Sequence, residues 1–258
     1  MKCISIFNRK GGVGKTTISV NLAADLSFYH NKKVLVVDCD PQGNTTSYLD
    51  ISGQNSDKLG LADYYLNGAT FKDIVQSYTY EKNRRGSKIE NCNIDLIPGG
   101  LSMDDVDIDN GYALHNLIAE EDYDFVIFDC PPSMSSLTLS ALFASDYVLV
   151  PAEADSDSLG GFQALVDMVN KIKAEGHSLS VVGIVLNKVS FIQSLDKYLI
   201  KELSEGLPDG FVFKSMLRRS SSAKNARYFG QPICIADESG SLNKDFKAFT
   251  VELLEKVQ

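Results

Sequence analysis

The sequence contains no run near the roughly 18 uninterrupted apolar residues of a membrane span, and no signal-peptide cleavage pattern follows Met1, so the reading is of a cytoplasmic protein. Its five cysteines, Cys3, Cys39, Cys92, Cys130 and Cys234, include no CxxC pair and form an odd set. That excludes a disulfide framework or a zinc site and leaves reduced packing residues. The three histidines, His30, His115 and His177, are scattered and outline no metal cage. Positive charge is also short: 25 Lys and Arg stand against 34 Asp and Glu, a net −9. A surface coated for nucleic acid is excluded, and any such contact must be local. No internal repeat or low-complexity linker appears.

What is present is an ordinary globular composition, 44% apolar over 258 residues, long enough to form a core by packing alone. Five short apolar runs recur, at Ile4 to Phe7, Val34 to Val37, Phe125 to Phe128, Tyr147 to Val150 and Val181 to Leu186. They are continuous rather than alternating, as expected of parallel strands covered on both faces. Segments with three-to-four-residue apolar spacing lie between them, such as Ile18-Leu22-Leu26 and Phe162-Leu165-Val166-Val169-Ile172. The pattern predicts one α/β domain over 1–258, a doubly wound, mostly parallel sheet with helices on both faces. Phe246-Phe249-Leu253-Leu254-Val257 predicts a closing helix, and its companions Asp245, Glu252 and Glu255 favour docking on the body over insertion into an anionic membrane. Gln76 to Asn93, with Arg84-Arg85-Gly86, and the acidic run at 104–109 read as surface excursions.

After the first apolar run comes Asn8-Arg9-Lys10-Gly11-Gly12-Val13-Gly14-Lys15-Thr16-Thr17, followed by a helical pattern. Backbone N–H groups from Lys10 to Thr17 can turn inward around phosphate oxygens, and the helix N-terminus adds partial positive charge. Lys15 then reaches the β and γ phosphates, and the Thr16 hydroxyl can ligate Mg²⁺. The strict GxxxxGK[ST] pattern would need glycine at Arg9, and Lys10 brings a second lysine into the loop.

Phosphoryl transfer needs carboxylates as well. Val34 to Val37 runs into Asp38-Cys39-Asp40-Pro41-Gln42-Gly43-Asn44, which puts Asp38 and Asp40 near the loop if their strand neighbours the first. Phe125 to Phe128 ends in Asp129-Cys130-Pro131-Pro132-Ser133, a Walker B pattern whose Asp129 would hold a Mg²⁺-bound water. Asn187-Lys188-Val189-Ser190 departs from the guanine-binding NKxD element because Ser190 replaces the aspartate, which favours ATP, with Asn187 against the base. Between 214 and 227, Lys214, Arg218, Arg219, Lys224 and Arg227 add five positive charges with no acid, on a remainder summing to −14. This concentration reads as a face that contacts DNA phosphates without reading bases.

As a unit, KGGVGKTT resembles the deviant Walker A loop of the ParA/MinD superfamily, and DPQGN with DCPPS narrows the likeness to ParA/Soj partition ATPases over nearly the whole chain. The resemblance implies that Lys10 reaches the partner's nucleotide across a dimer interface, that Asp40 positions the attacking water, and that Asp38 assists the Mg²⁺ shell. Arg219 matches a family arginine preceding an A-x-x-x-G-x-P pattern, while Ser222 stands where a second is frequent. Because the chain starts at its first strand, no N-terminal helix-turn-helix is expected. The function implied is DNA segregation. An ATP-driven homodimer would bind DNA without sequence preference, associate with the nucleoid and be released when a ParB-like partner stimulates hydrolysis. Two relatives of other classes compete. A membrane-recruited positioning ATPase like MinD would require a basic amphipathic tail, and a nitrogenase-type iron protein would require a cysteine pair placed for a cluster.

Overall fold

The computed structural model describes residues 1–50, 59–82, 90–100, 103, 106, 111–154 and 158–258, with backbone alone for 158–164, 194, 195, 197 and 204. Seven strands form one sheet: β1 (Lys2–Ile6), β2 (Val34–Asp38), β3 (Gln76–Lys82), β4 (Glu90–Ile97), β5 (Phe125–Asp129), β6 (Tyr147–Ala152) and β7 (Ser180–Leu186). Their spatial order is β3-β4-β2-β5-β1-β6-β7, and every pairing is parallel except β3 with β4. All five apolar runs are strands of this sheet. Each alternates its side chains between two cores: Leu35, Val37, Val126 and Phe128 face one, and Val34, Val36, Phe125 and Ile127 face the other. That two-sided burial is why the runs are uninterrupted.

The first core is closed by α3 (Leu61–Asn67), α5 (Ala113–Ile118), α6 (Ser136–Phe143) and α7 (Ser158–Ala174), through residues including Leu61, Leu117, Ala141 and Val169. Covering the second are α1 (Lys15–His30), α2 (Asn44–Leu49), α9 (Ser221–Tyr228), α10 (Ile233–Ala236) and α11 (Ser241–Lys256). The short α4 (Phe71–Ile74) leads into β3, and α8 (Ser194–Glu205) follows β7. α11 is the anticipated closing helix, with Phe246, Phe249, Leu253 and Val257 buried in the same core as Ile18, Leu22 and Leu26 of α1. No helix among the described residues is long and apolar enough to cross a membrane.

The reading of Gln76 to Asn93 as an irregular surface excursion is corrected by the hairpin β3–β4, which pairs in antiparallel register from Gln76↔Leu96 to Lys82↔Glu90 at the sheet edge. Its outer strand is amphipathic at period two: Tyr78 and Tyr80 pack inward, while Ser77, Thr79 and Glu81 face solvent. A search for apolar runs passes over such a strand. Lys82 fastens its end to α10 through the carbonyls of Cys234 and Ile235, both at 3.3 Å. Arg84-Arg85-Gly86 lies outside the described residues, as does most of the acidic run, of which Val106 is buried.

Candidate nucleotide site

The crevice lies at the carboxyl ends of the central strands, where ligands of open α/β sheets bind. β1 sits between β5 and β6, and the loop from Asn8 to Gly14 connects it to α1. Gly12 and Gly14 have φ of 78° and 97°, in the left-handed region that a side chain strains. At Gly14 the space is also taken, because an added Cβ would meet the Asn187 amide. α1 begins without a side-chain cap and with no acid in its first turn, leaving its N–H groups and dipole directed at the loop.

Lys15 is buried, and its ammonium donates to the carbonyls of Asn8 at 3.2 Å and Lys10 at 3.4 Å. Burial lowers its pKa, while Asp129 and Asp40 pull the other way. Asp38 and Asp129 are register partners at the ends of adjacent strands, both fully sequestered from solvent. Asp129 accepts from the hydroxyls of Thr16 (2.8 Å), Thr45 (2.7 Å) and Ser19 (2.9 Å). Asp38 accepts from the backbone N–H and hydroxyl of Thr46, both at 2.8 Å, and from the Asp40 N–H at 3.2 Å. Burial raises both carboxyls above the usual range. Asp129 raises Asp38 further, whereas the three hydroxyls and Lys15 draw Asp129 back.

Two neighbouring carboxylates with hydroxyls and one lysine form a hard-oxygen set with surplus negative charge, which a divalent cation would relieve. The P-loop hydroxyl of Thr16 already touches Asp129. No group of three His, Cys, Asp or Glu suited to a metal occurs among the described residues. A cation here would therefore complete its shell with water and phosphate, as Mg²⁺ does. The residues fit Mg²⁺ held by Thr16, with Asp38 and Asp129 behind it.

Asp40 accepts the Gln42 N–H at 2.9 Å through one oxygen, and its carbonyl accepts from Gly43, closing the turn that the Asp-Pro-Gln-Gly sequence encodes. It faces a cavity of about 460 Å³ lined by the glycine loop, Lys15, Thr16, Thr17, Gln42 and Asn44. A second cavity of about 580 Å³ adjoins it, bordered by Asn187, Arg219, Lys224 and Phe246. Gly14, Thr17, Lys188 and Arg227 line both. Asn187 is positioned by β7 at the junction; its amide donates to the Val13 carbonyl at 2.8 Å, so it braces the glycine loop from the second cavity. Lys10 stands half-buried on the loop, its N–H on the Asn8 side chain at 2.9 Å.

A family model described as an AAA domain matches residues 1–181. The sporulation initiation inhibitor protein Soj of Bacillus subtilis is 33% identical over 92% of this chain and 91% of its own length. The chain belongs to the ParA/Soj family of P-loop ATPases. The chromosome partitioning protein ParA of Caulobacter vibrioides is 29% identical over 92% of this chain and 88% of its own. Among solved structures, the ATP complex of Cyanothece McdA superposes with a TM-score of 0.80 at 22% identity, covering 99% of this chain and 96% of that one, which is a likeness of fold.

On this ParA/Soj frame the five basic residues occupy different settings. Lys214, Arg219, Lys224 and Arg227 are exposed. Arg218 is held by Asp245 in a two-pronged pair, Nε at 2.5 Å and Nη2 at 2.7 Å, and lies over the Phe191 ring. Arg227 donates to the Asn44 side chain at 2.9 Å. Ser222 donates to Asp237 at 2.6 Å and so helps place α9.

Sequence reasoning missed three sets of contributors. Thr45 and Thr46, at the start of α2, tie the Asp40 turn to Asp129 and Asp38. Ser19, one helical turn beyond Lys15, carries the third hydroxyl on Asp129. Lys188, at φ 56°, donates to the Gly12 carbonyl at 2.6 Å and to Glu153 at 2.7 Å, pinning the loop from β7. A Thr-Thr pair directly after the Asp-Pro-Gln-Gly turn was a readable signal for the first. The Lys188–Glu153 pair joins two strand ends distant in sequence and left no local trace.

Proposed function

We propose that the chain is an ATP-dependent DNA partition ATPase whose ATP-bound homodimer binds DNA without sequence preference. The observation that carries the reading is the convergence of Lys15, Thr16, Asp38, Asp40 and Asp129 on one crevice, with a second lysine, Lys10, on the loop above it. Lys15 leaves its loop carbonyls to bind the β and γ phosphates. Asp40, with one oxygen fixed by the turn, orients the attacking water with the other. Mg²⁺, when bound, would neutralise charge on the β and γ phosphate oxygens. The adjoining cavity takes the nucleoside, and Asn187 holds the loop against it.

Lys10 completes the partner's pocket, so ATP favours the face-to-face dimer because its phosphates are contacted from both chains. DNA is then held through the outward cations of 214–227, foremost Lys214, Arg219 and Lys224. One such face neutralising about three phosphates gives a log–log salt slope near −3, and two give about −5 to −6. A ParB-like partner would stimulate hydrolysis and so release the dimer onto a nucleoid-diffusing cycle. The seating of α11 on α1 disfavours a MinD-like membrane tail, since the helix's apolar face is already buried. The test is binding to DNA fragments of unrelated sequence with ATP, with ADP and without nucleotide, across a salt series. The expected result is an ATP-dependent affinity with that slope. ATP-independent binding, or sedimentation with anionic liposomes instead of DNA, refutes the reading.

A further inference from the structure

Arg227 is exposed like Lys214, Arg219 and Lys224, but of these four it alone also borders the phosphate cavity. Among the described residues, Gly14, Thr17 and Lys188 are the others that line both cavities. Of the cations around this junction, Lys188 is paired with Glu153 and Arg218 with Asp245. Arg227 has no carboxylate partner among the described residues, and its hydrogen bond goes to the neutral amide oxygen of Asn44, on the Asp40 turn. A full positive charge with planar donors therefore stands at the seam between the phosphate cavity and the nucleoside cavity, satisfied by one neutral acceptor.

We infer that Arg227 is a nucleotide ligand in cis, binding the phosphate at that seam, the α-phosphate, and is not a DNA contact. This rests on the proposed nucleotide site. The phosphate nearest the nucleoside must cross the seam to connect the two cavities, and Thr17 borders that seam as well. A guanidinium suits the role because it presents paired N–H groups to phosphate oxygens and cannot lose its charge. Binding would move Arg227 from Asn44 to the phosphate and free the first residue of α2. Nucleotide occupancy, the Asp40 turn and the position of α9 are thereby linked through one side chain.

The test measures ADP and ATP affinities by calorimetry for the full chain and for Arg227→Ala, Arg227→Lys and Lys214→Ala. DNA affinity is measured in parallel at saturating nucleotide. Loss of a charge-assisted phosphate contact predicts a roughly 10- to 100-fold weakening of both ADP and ATP for Arg227→Ala, partly restored in Arg227→Lys. DNA affinity at saturation is expected to stay within about twofold, while Lys214→Ala, at a residue bordering neither cavity, behaves oppositely, weakening DNA and sparing nucleotide. Unchanged nucleotide affinity in Arg227→Ala, weakening of ATP alone, or loss of DNA binding at saturating nucleotide each overturns the assignment. If the unaltered chain binds neither nucleotide, the proposed site itself fails, and Arg227 is not the cause.

Discussion

At the carboxyl ends of β2 and β5, Asp38 and Asp129 are locked by short bonds from the first turns of α1 and α2 and from Ser19, one turn further along α1. In the basic segment 214–227, similar side chains have dissimilar settings: Arg218 is neutralised by Asp245, Arg227 bonds Asn44 where the two cavities meet, Arg219 and Lys224 are exposed at the rim of the second cavity, and Lys214 is exposed away from both. The first region assigns roles by position in the fold. The second shows that a count of charges identifies a basic stretch without identifying which charges are available to a partner. Desolvation accounts for the difference, because a buried carboxylate must find several donors, whereas an exposed cation loses little when it points to water.

The largest effect is expected at the strand ends. Lys15→Ala should lower ATP turnover roughly 10²- to 10³-fold, as removal of one preorganised donor to developing charge does, measured as phosphate release at saturating ATP. A drop under about threefold would mean that the loop does not hold the reacting phosphates.

Asp25 sharpens the contrast by isolating burial from function. It lies between α1 and α11 with one hydroxyl donor, Thr250, at 3.2 Å, and burial pushes its pKa from 3.8 up to about 7. The folded chain thus keeps a proton that the unfolded chain releases, so this residue lowers stability as pH rises from about 4 to about 7. Asp25→Asn should remove that decline, a relative gain on the order of 2–4 kcal/mol at pH 8 and little at pH 4, read by denaturant unfolding. An equal gain at both pH values would contradict it. Thr45→Val, which strips one donor from Asp129 while preserving shape, should cost about 1–3 kcal/mol, and Thr45→Ser should restore most of it.

The smallest effects separate the members of the basic segment. Arg219→Ala should weaken DNA binding roughly tenfold and make the salt slope shallower by about 1 for each protomer. Arg218→Ala should leave that slope unchanged and cost about 1 kcal/mol of stability, because its partly exposed pair with Asp245 is screened by solvent. Equal slopes in the two variants would erase the distinction between committed and outward cations.

Strands buried on both faces were legible because their whole length must be apolar, and the site residues at their ends were legible because each motif is anchored to such a strand. The hairpin β3–β4 escaped notice since its outer strand, Gln76-Ser77-Tyr78-Thr79-Tyr80-Glu81-Lys82, faces water on alternate residues and averages to a polar stretch. Thr45, Ser19 and the Lys188–Glu153 pair gained their roles from strand order, which brings the ends of β2, β5, β6 and β7 beside the glycine loop. Composition could not reveal that Arg218 meets Asp245, 27 residues further along the chain.

The central claim is that each protomer's Lys10 completes its neighbour's triphosphate pocket. The direct measurement is the solution mass, by sedimentation velocity with ATP and Mg²⁺, of Asp40→Ala and of the same variant carrying Lys10→Ala. The account predicts a dimer for the first and a monomer for the second. Dimers of equal stability in both would contradict it.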